Sequence, residues 1–156
     1  MNYISKGGIA LAAVLLSACV NPDTSGGAAA ADHPAVTAAR LHIQPAYPAA
    51  ARIPVYIVPD TDRIGWVYHQ NIAVVNVAYI NQTDKIEFGC AFLVHEYRHK
   101  LQGRAYYEAD RTRGELEALA DSVECLKIFG APQYLISYYA QADGTHNAAA
   151  TRSFYN

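Results

Sequence analysis

The apolar positions of this chain fall into two kinds of pattern. Residues 54 to 58, Pro-Val-Tyr-Ile-Val, form a short run rich in β-branched side chains. A second run covers Ile64 to Tyr68, and a third covers Ile72 to Ile80. Turn formers separate them, Pro59-Asp60-Thr61-Asp62 and then His69-Gln70-Asn71. Such runs between turns predict three short strands, with hairpin pairing among them. Helical signals follow. Asp84-Lys85-Ile86-Glu87 is a capping-box pattern that starts a helix. Phe92, Leu93 and Leu101 supply its apolar contacts, and Gly103 stops it after Gln102. Thr112-Arg113-Gly114-Glu115 is a second capping box, and its helix ends near Gly130. Pro132 suits the first turn of a last helix reaching Gln141. The expected class is α+β: a short three-stranded sheet, then three helices.

The N-terminal pattern is different. Lys6 precedes the apolar run Ile9 to Leu16, which is too short for a permanent membrane span. Leu16-Ser17-Ala18-Cys19 resembles a bacterial lipobox. The resemblance implies removal of residues 1–18 and lipidation of Cys19, so that the chain is anchored to the envelope rather than spanning a membrane. Val20, where an aspartate would favour the inner membrane, points to the outer membrane and the periplasmic side. From Val20 to Ala31 the residues are small or polar and cannot build a core. Residues 19–39 are expected to be a flexible tether, leaving 40–156 as one domain. Signal removal takes away one of 12 basic residues and none of the 14 acidic ones. The product is mildly acidic, and no basic stripe favours nucleic acid. The 12 tyrosines are read as packing residues.

The candidate chemistry lies in two short segments. His95-Glu96-Tyr97-Arg98-His99 has the form HExxH. Residues four apart share a helix face, so both imidazoles can reach one metal ion, with Glu96 placed to handle a water there. Glu117-Ala118-Leu119-Ala120-Asp121 has the form ExxAD, its carboxylates again four apart on a return helix. Two histidines and one carboxylate complete the usual three-ligand set of a catalytic zinc site. Together, in this order and spacing, the two segments resemble the gluzincin clan of thermolysin-like zinc peptidases, and most of all its short single-domain members, the minigluzincins. The resemblance covers residues 84 to 126 firmly and 54 to 80 loosely. It implies a zincin-like fold with the sheet beside the HExxH helix, and a zinc cofactor held by His95, His99 and Glu117. It implies Glu96 as general base and Asp121 as the carboxylate orienting a histidine. It also implies an edge strand that binds extended substrate, for which Ile72 to Ile80 is the candidate; an ordinary buried strand is the other reading. Arg98 and Lys100, so near a metal, must face solvent or a partner carboxylate.

Other assignments stay open. Tyr106, Tyr107, Tyr138, Tyr139, His146 and Arg152 are oxyanion-donor candidates by chemistry, and no spacing selects among them. Glu115, two residues from Glu117, is expected to point elsewhere and to serve the capping box. If the two motif helices run antiparallel, Cys90, about 10 Å along the axis from the middle of HExxH, and Cys125, about 12 Å from Glu117, stand at matching heights. Their azimuths match less well, so a disulfide and two buried thiols remain equal readings. Two functions follow. One is a small lipid-anchored zinc endopeptidase acting on peptide or protein substrates. The other is a noncatalytic zinc-binding envelope lipoprotein that works as a binding scaffold.

Overall fold

The computed structural model describes residues 28–29, 33–59 and 64–143. The signal segment, Cys19, most of the tether, His146 and Arg152 lie outside them. The described chain is α+β, as the pattern predicts. Strand β1 (Ala28–Ala29) is followed by helix α1 (Pro34–Ile43) and a short 3₁₀ turn at Ala50–Arg52. The three expected strands are β2 (Val55–Val58), β3 (Gly65–Val67) and β4 (Ile72–Asn76). Helix α2 (Val77–Gln82) leads to a long helical segment. It begins as α3 (Lys85–Glu87), passes through a π-helical stretch at Phe88–Val94, and continues as α4 (His95–Ala109). Helices α5 (Arg111–Ile128) and α6 (Gln133–Gln141) complete the described fold.

The sheet order is β1-β2-β4-β3. β2 runs parallel to β4, with Val55 opposite Ala73, and β3 pairs antiparallel with β4 as a hairpin, Trp66 opposite Ala73. Asn71, with φ 55°, takes the left-handed position at that hairpin. Side chains of β4 alternate between faces, as period-two geometry requires. Ala73 and Val75 join the main core with Trp66, Phe88, Phe92 and Leu93, while Ile72 and Val74 pack with Val58 and Val67.

Three expectations need correction here. The strand expected over Ile72 to Ile80 stops at Asn76. The Asn76 side chain accepts a hydrogen bond from the Tyr79 amide at 2.7 Å and caps α2, so a local cap overrides the β-branched run. β4 is also central and buried throughout, the ordinary-strand reading rather than the edge reading. The tether does not extend to residue 39. Pro34 opens α1, and Val36, Ala39 and Ile43 are fully buried in the main core.

The helix signals fare better. Asp84 accepts from the Ile86 and Glu87 amides at 2.8 Å, the expected cap. Gly103 interrupts α4 with φ 73° and ψ 158°, a conformation open to glycine, and the helix resumes beyond it. The cap of α5 is Asp110, which accepts from the Arg113 amide at 3.0 Å, and not Thr112. That shift leaves Glu115 without a capping task.

Cys90 and Cys125 form a disulfide, with Cα atoms 5.3 Å apart, joining the π-helical stretch to α5. The π-helical turn carries one more residue than an α-turn, which changes the azimuth of Cys90 relative to His95. The loop it closes spans 35 residues. Replacing both cysteines with alanine is expected to lower unfolding free energy by roughly 3–4 kcal/mol through chain entropy. Denaturant titration of the two proteins measures this; an unchanged midpoint would leave the bond without a stabilising role.

Candidate metal centre

The long helical segment builds the site. All seven residues of the π-helical stretch are buried, and they carry the chain directly into His95. π-turns often mark functional positions because they re-aim the residues that follow. His95 and His99, one turn apart on α4, are both buried. Their Nε2 atoms are 3.1 Å apart, and the rings meet edge to face with centroids 4.8 Å apart.

The third member of the cluster is Glu115, not Glu117. Its Oε2 lies 3.2 Å from His95 Nε2, and its Oε1 lies 3.5 Å from His99 Nε2. Its side chain is 2 % exposed. These residues bring one ligand atom each within 4.8 Å of one another, a group that can hold a metal ion. The spacing suits the ion. Ligand bonds of about 2.0–2.2 Å in a tetrahedron place neighbouring ligand atoms roughly 3.3–3.6 Å apart. The cavity at the cluster has a volume of about 10 Å³, lined also by Ile64, Gly65, Trp66, Tyr68 and Tyr107. That is on the order of the room one water or one ion requires.

Helix α5 explains the exchange of glutamates. Glu115, Ala118, Leu119, Ser122, Cys125 and Leu126 form its buried stripe. Glu117 lies roughly 200° around the axis from Glu115 and cannot share that face. Gly114 lets α5 approach, since a Cβ there would stand 2.7 Å from the Tyr107 ring. Tyr107 in turn donates its hydroxyl to Glu115 Oε1 at 2.5 Å and packs edge to face on His99. It thereby fixes the carboxylate and one imidazole together.

The ExxAD carboxylates do face α4, one layer outward. Glu117 Oε2 accepts from Gln102 Nε2 at 3.0 Å, and its Oε1 accepts from the Tyr106 hydroxyl at 2.6 Å and from Arg113 Nε at 3.2 Å. The hydrogen bonds from Tyr106 and Gln102 hold its carboxyl below the usual carboxylate range. Asp121 does not orient a histidine. Both its oxygens accept from Arg98, Nε to Oδ2 at 2.7 Å and Nη2 to Oδ1 at 2.9 Å. Arg98 thus finds the carboxylate its position demands, and exposed Lys100 lies 6.0 Å over the Trp66 ring. His99 Nδ1 meets Gln102 Oε1 at 2.9 Å, so a neutral amide occupies the place expected for a carboxylate.

Electrostatics set Glu115 and Glu96 apart. Burial alone would raise the Glu115 carboxyl, but hydrogen bonds from His95 and His99 outweigh it and hold the group well below its ordinary value. Burial lowers His99, yet its Glu115 partner and the nearby carboxylates leave it raised. Glu96 is 2 % exposed and pushed up to about 8, chiefly by burial; His99 opposes the shift and Glu115 adds to it. Glu96 Oε2 is buried with no hydrogen-bond partner. A buried carboxylate oxygen left in that state costs free energy, so it marks a place where another group belongs.

Beside the small cavity lies a larger one of about 410 Å³, which His95, Glu96 and Ile64 also line. Its remaining walls include Tyr79, Phe92, Leu119, Tyr138 and Tyr139. Among the tyrosines weighed as oxyanion donors, Tyr106 and Tyr107 are committed to Glu117 and Glu115, and Tyr139 donates to Glu87 at 2.8 Å. Tyr138 is 68 % exposed on the cavity wall. The sheet edge beside the cluster is β3, whose Gly65 and Trp66 line the small cavity. Comparison with family models, with curated proteins and with solved structures finds no match to this chain.

Proposed function

We propose that this chain is a small zinc-dependent endopeptidase of the gluzincin type, with His95, His99 and Glu115 as the metal ligands. The observation that carries the reading is the orphaned oxygen of buried Glu96, which lines the same space as the three ligand atoms. A pure scaffold has no use for a buried, unpartnered carboxylate at that point. Zinc bound there would polarise a substrate carbonyl and acidify a water. Glu96 Oε2 takes the proton of the attacking water and later passes it to the leaving amine. The positive charge of a bound ion favours the carboxylate form of Glu96, against the burial that holds its proton up to about pH 8 without one. Tyr107 and Gln102 keep Glu115 and His99 aimed while this proceeds. The larger cavity, with its tyrosine, phenylalanine and leucine walls, offers space for a substrate side chain next to Glu96. Extended substrate backbone would pair with β3, the edge strand among the described residues.

The test is metal analysis of the purified protein beside a broad peptide-cleavage screen. About one zinc per chain and zinc-dependent cleavage are expected. A zinc-loaded protein that cleaves nothing would favour the scaffold reading instead.

The lipobox-like segment supports a lipid anchor at Cys19, holding the domain on the periplasmic side of the outer membrane. Among the described residues no helix is long and apolar enough to cross a membrane. Cys19→Ser is expected to move the protein from the membrane fraction to the soluble one. A variant that still pellets with membranes would point to another anchor.

A further inference from the structure

We propose that Glu117 and Gln102 form a relay that holds a proton on His99 Nδ1, so that Nε2, the nitrogen turned toward Glu115 and His95, is the one left to a metal. The inference rests on the reading of these three residues as a metal site. Its basis is a chain of hydrogen bonds whose polarity has one solution. The Gln102 amide has one oxygen that accepts and one nitrogen that donates. Its nitrogen lies 2.9 Å from the Gly114 carbonyl oxygen and 3.0 Å from Glu117 Oε2. A carbonyl and a carboxylate only accept, so the NH₂ group must face them. The amide oxygen is then the atom left to meet His99 Nδ1, at 2.9 Å. An acceptor there requires Nδ1 to carry a proton, so Nε2 is the nitrogen whose lone pair a metal would take, in place of the proton it can share with Glu115. Flipping the amide would set oxygen against two acceptors at once.

Glu117 is what makes the flip costly. Tyr106 and Arg113 hold its other oxygen, so the carboxylate cannot turn away from Gln102. The Gly114 contact gives the relay a second use. It ties the first turn of α5, one residue before Glu115, to the ring of His99. Glu117 is therefore a positioning residue, acting through Gln102. The glutamate that the ExxAD pattern marks would serve the site without touching the metal.

The test uses the full chain, solubilised in detergent and labelled with ¹⁵N in its histidines. Long-range ¹H–¹⁵N spectra of the metal-free protein, at a pH where the rings are neutral, report each tautomer. Zinc affinity is measured in parallel by competition with a chelator. In the unmodified chain His99 should be protonated at Nδ1. Gln102→Leu should shift His99 toward Nε2 protonation or a mixture, and weaken zinc binding about 10- to 100-fold, as loss of a ligand-orienting partner does. The swap Gln102→Glu with Glu117→Gln keeps an acceptor against His99 and moves the donor to position 117. It relieves the clash at position 117 but leaves an oxygen against the Gly114 carbonyl, so it should restore the tautomer and part of the affinity. If Gln102→Leu does not fold, Glu117→Ala on the rim gives the second reading, with a partial tautomer shift and a severalfold loss. Nδ1 protonation and full affinity surviving in Gln102→Leu would overturn the proposal, as would a swap no better than the unfavourable single change Gln102→Glu. A chain that binds no zinc, yet loses its His99 tautomer in Gln102→Leu, would remove the metal reading and leave the relay standing.

Discussion

Glu115→Ala is expected to strip the metal from this protein, while Glu117→Ala keeps it. Glu115 contributes the carboxylate that lies 3.2 and 3.5 Å from the two imidazole nitrogens, and its side chain is buried with theirs. Without it, two histidines remain, one short of the usual protein ligand set. Neither ExxAD carboxylate stands ready to replace it, because Glu117 is held by Gln102, Tyr106 and Arg113, and Asp121 by Arg98. The loss should therefore exceed the roughly 10- to 100-fold that removal of an orienting partner costs. Glu117→Ala should stay within that smaller range, since it acts through Gln102 alone. Metal content after dialysis, together with chelator competition, separates the two. A Glu117→Ala protein that loses its zinc while Glu115→Ala keeps it would reverse the ligand assignment. A circular dichroism spectrum should accompany each variant, because Glu115 is also the hydrogen-bond partner of buried Tyr107.

The misplacement of the third ligand shows what sequence spacing carries and what it omits. The pairing of HExxH with a downstream carboxylate helix was legible, because two histidines four apart specify a shared face wherever a helix forms. The choice between two glutamates was not decided by that spacing. It depends on which face of α5 turns inward, and the apolar stripe holds the information. Ala118, Leu119, Ser122, Cys125 and Leu126 are buried with Glu115, and small Gly114 sits beside it where the helices close. Read for its period, that stripe puts position 115 among the core positions and 117 outside them. The capping-box reading of Thr112 to Glu115 concealed this, since it gave Glu115 a local task that Asp110 makes unnecessary. The roles of Gln102 and Tyr107 had less sequence signal. Gln102 meets His99 at ordinary i, i+3 helical spacing, but its tie to α5 and the approach of Tyr107, beyond the turn at Gly103 and against Gly114, depend on tertiary packing.

The fold was legible to a similar depth. Strands β2, β3 and β4, the Asp84 cap, the interruption at Gly103 and the last helix follow from local chemistry, whereas β1, the fourth strand of the sheet, falls in the stretch read as tether. The central place of β4 does not, because strand order is set by which faces must be covered. A parallel β2–β4 pair with β3 folded back as a hairpin buries both faces of β4 and leaves β3 as the edge nearest the cluster. Helix α1 was hidden by composition. Its alanines resemble tether, yet Val36, Ala39 and Ile43 fall on one face and pack into the main core with Phe88 and Leu93.

Glu96→Gln is expected to keep the metal and lose peptide hydrolysis. The amide is nearly isosteric, so the buried position and the three ligands survive the change. It can still hydrogen-bond a water, but it cannot take the proton. General-base catalysis is typically worth about 10²- to 10⁴-fold, and the variant should fall by that factor with zinc content unchanged. The substitution has a second consequence, which follows from the burial of the carboxyl alone. Without a metal, burial holds the Glu96 proton up to about pH 8, so in the folded chain the group keeps a proton that the unfolded chain releases near pH 4 to 5. Folded protein then binds the extra proton across that interval, and stability of the metal-free wild type falls as pH rises through it. Glu96→Gln removes this dependence. Unfolding midpoints of the metal-free proteins between about pH 5 and 8 should therefore decline in the wild type and decline less in the variant. Equal cleavage by both zinc-loaded proteins would show that Glu96 is not the base. A variant that loses both zinc and activity would mean that the carboxylate holds the site together rather than moving a proton within it.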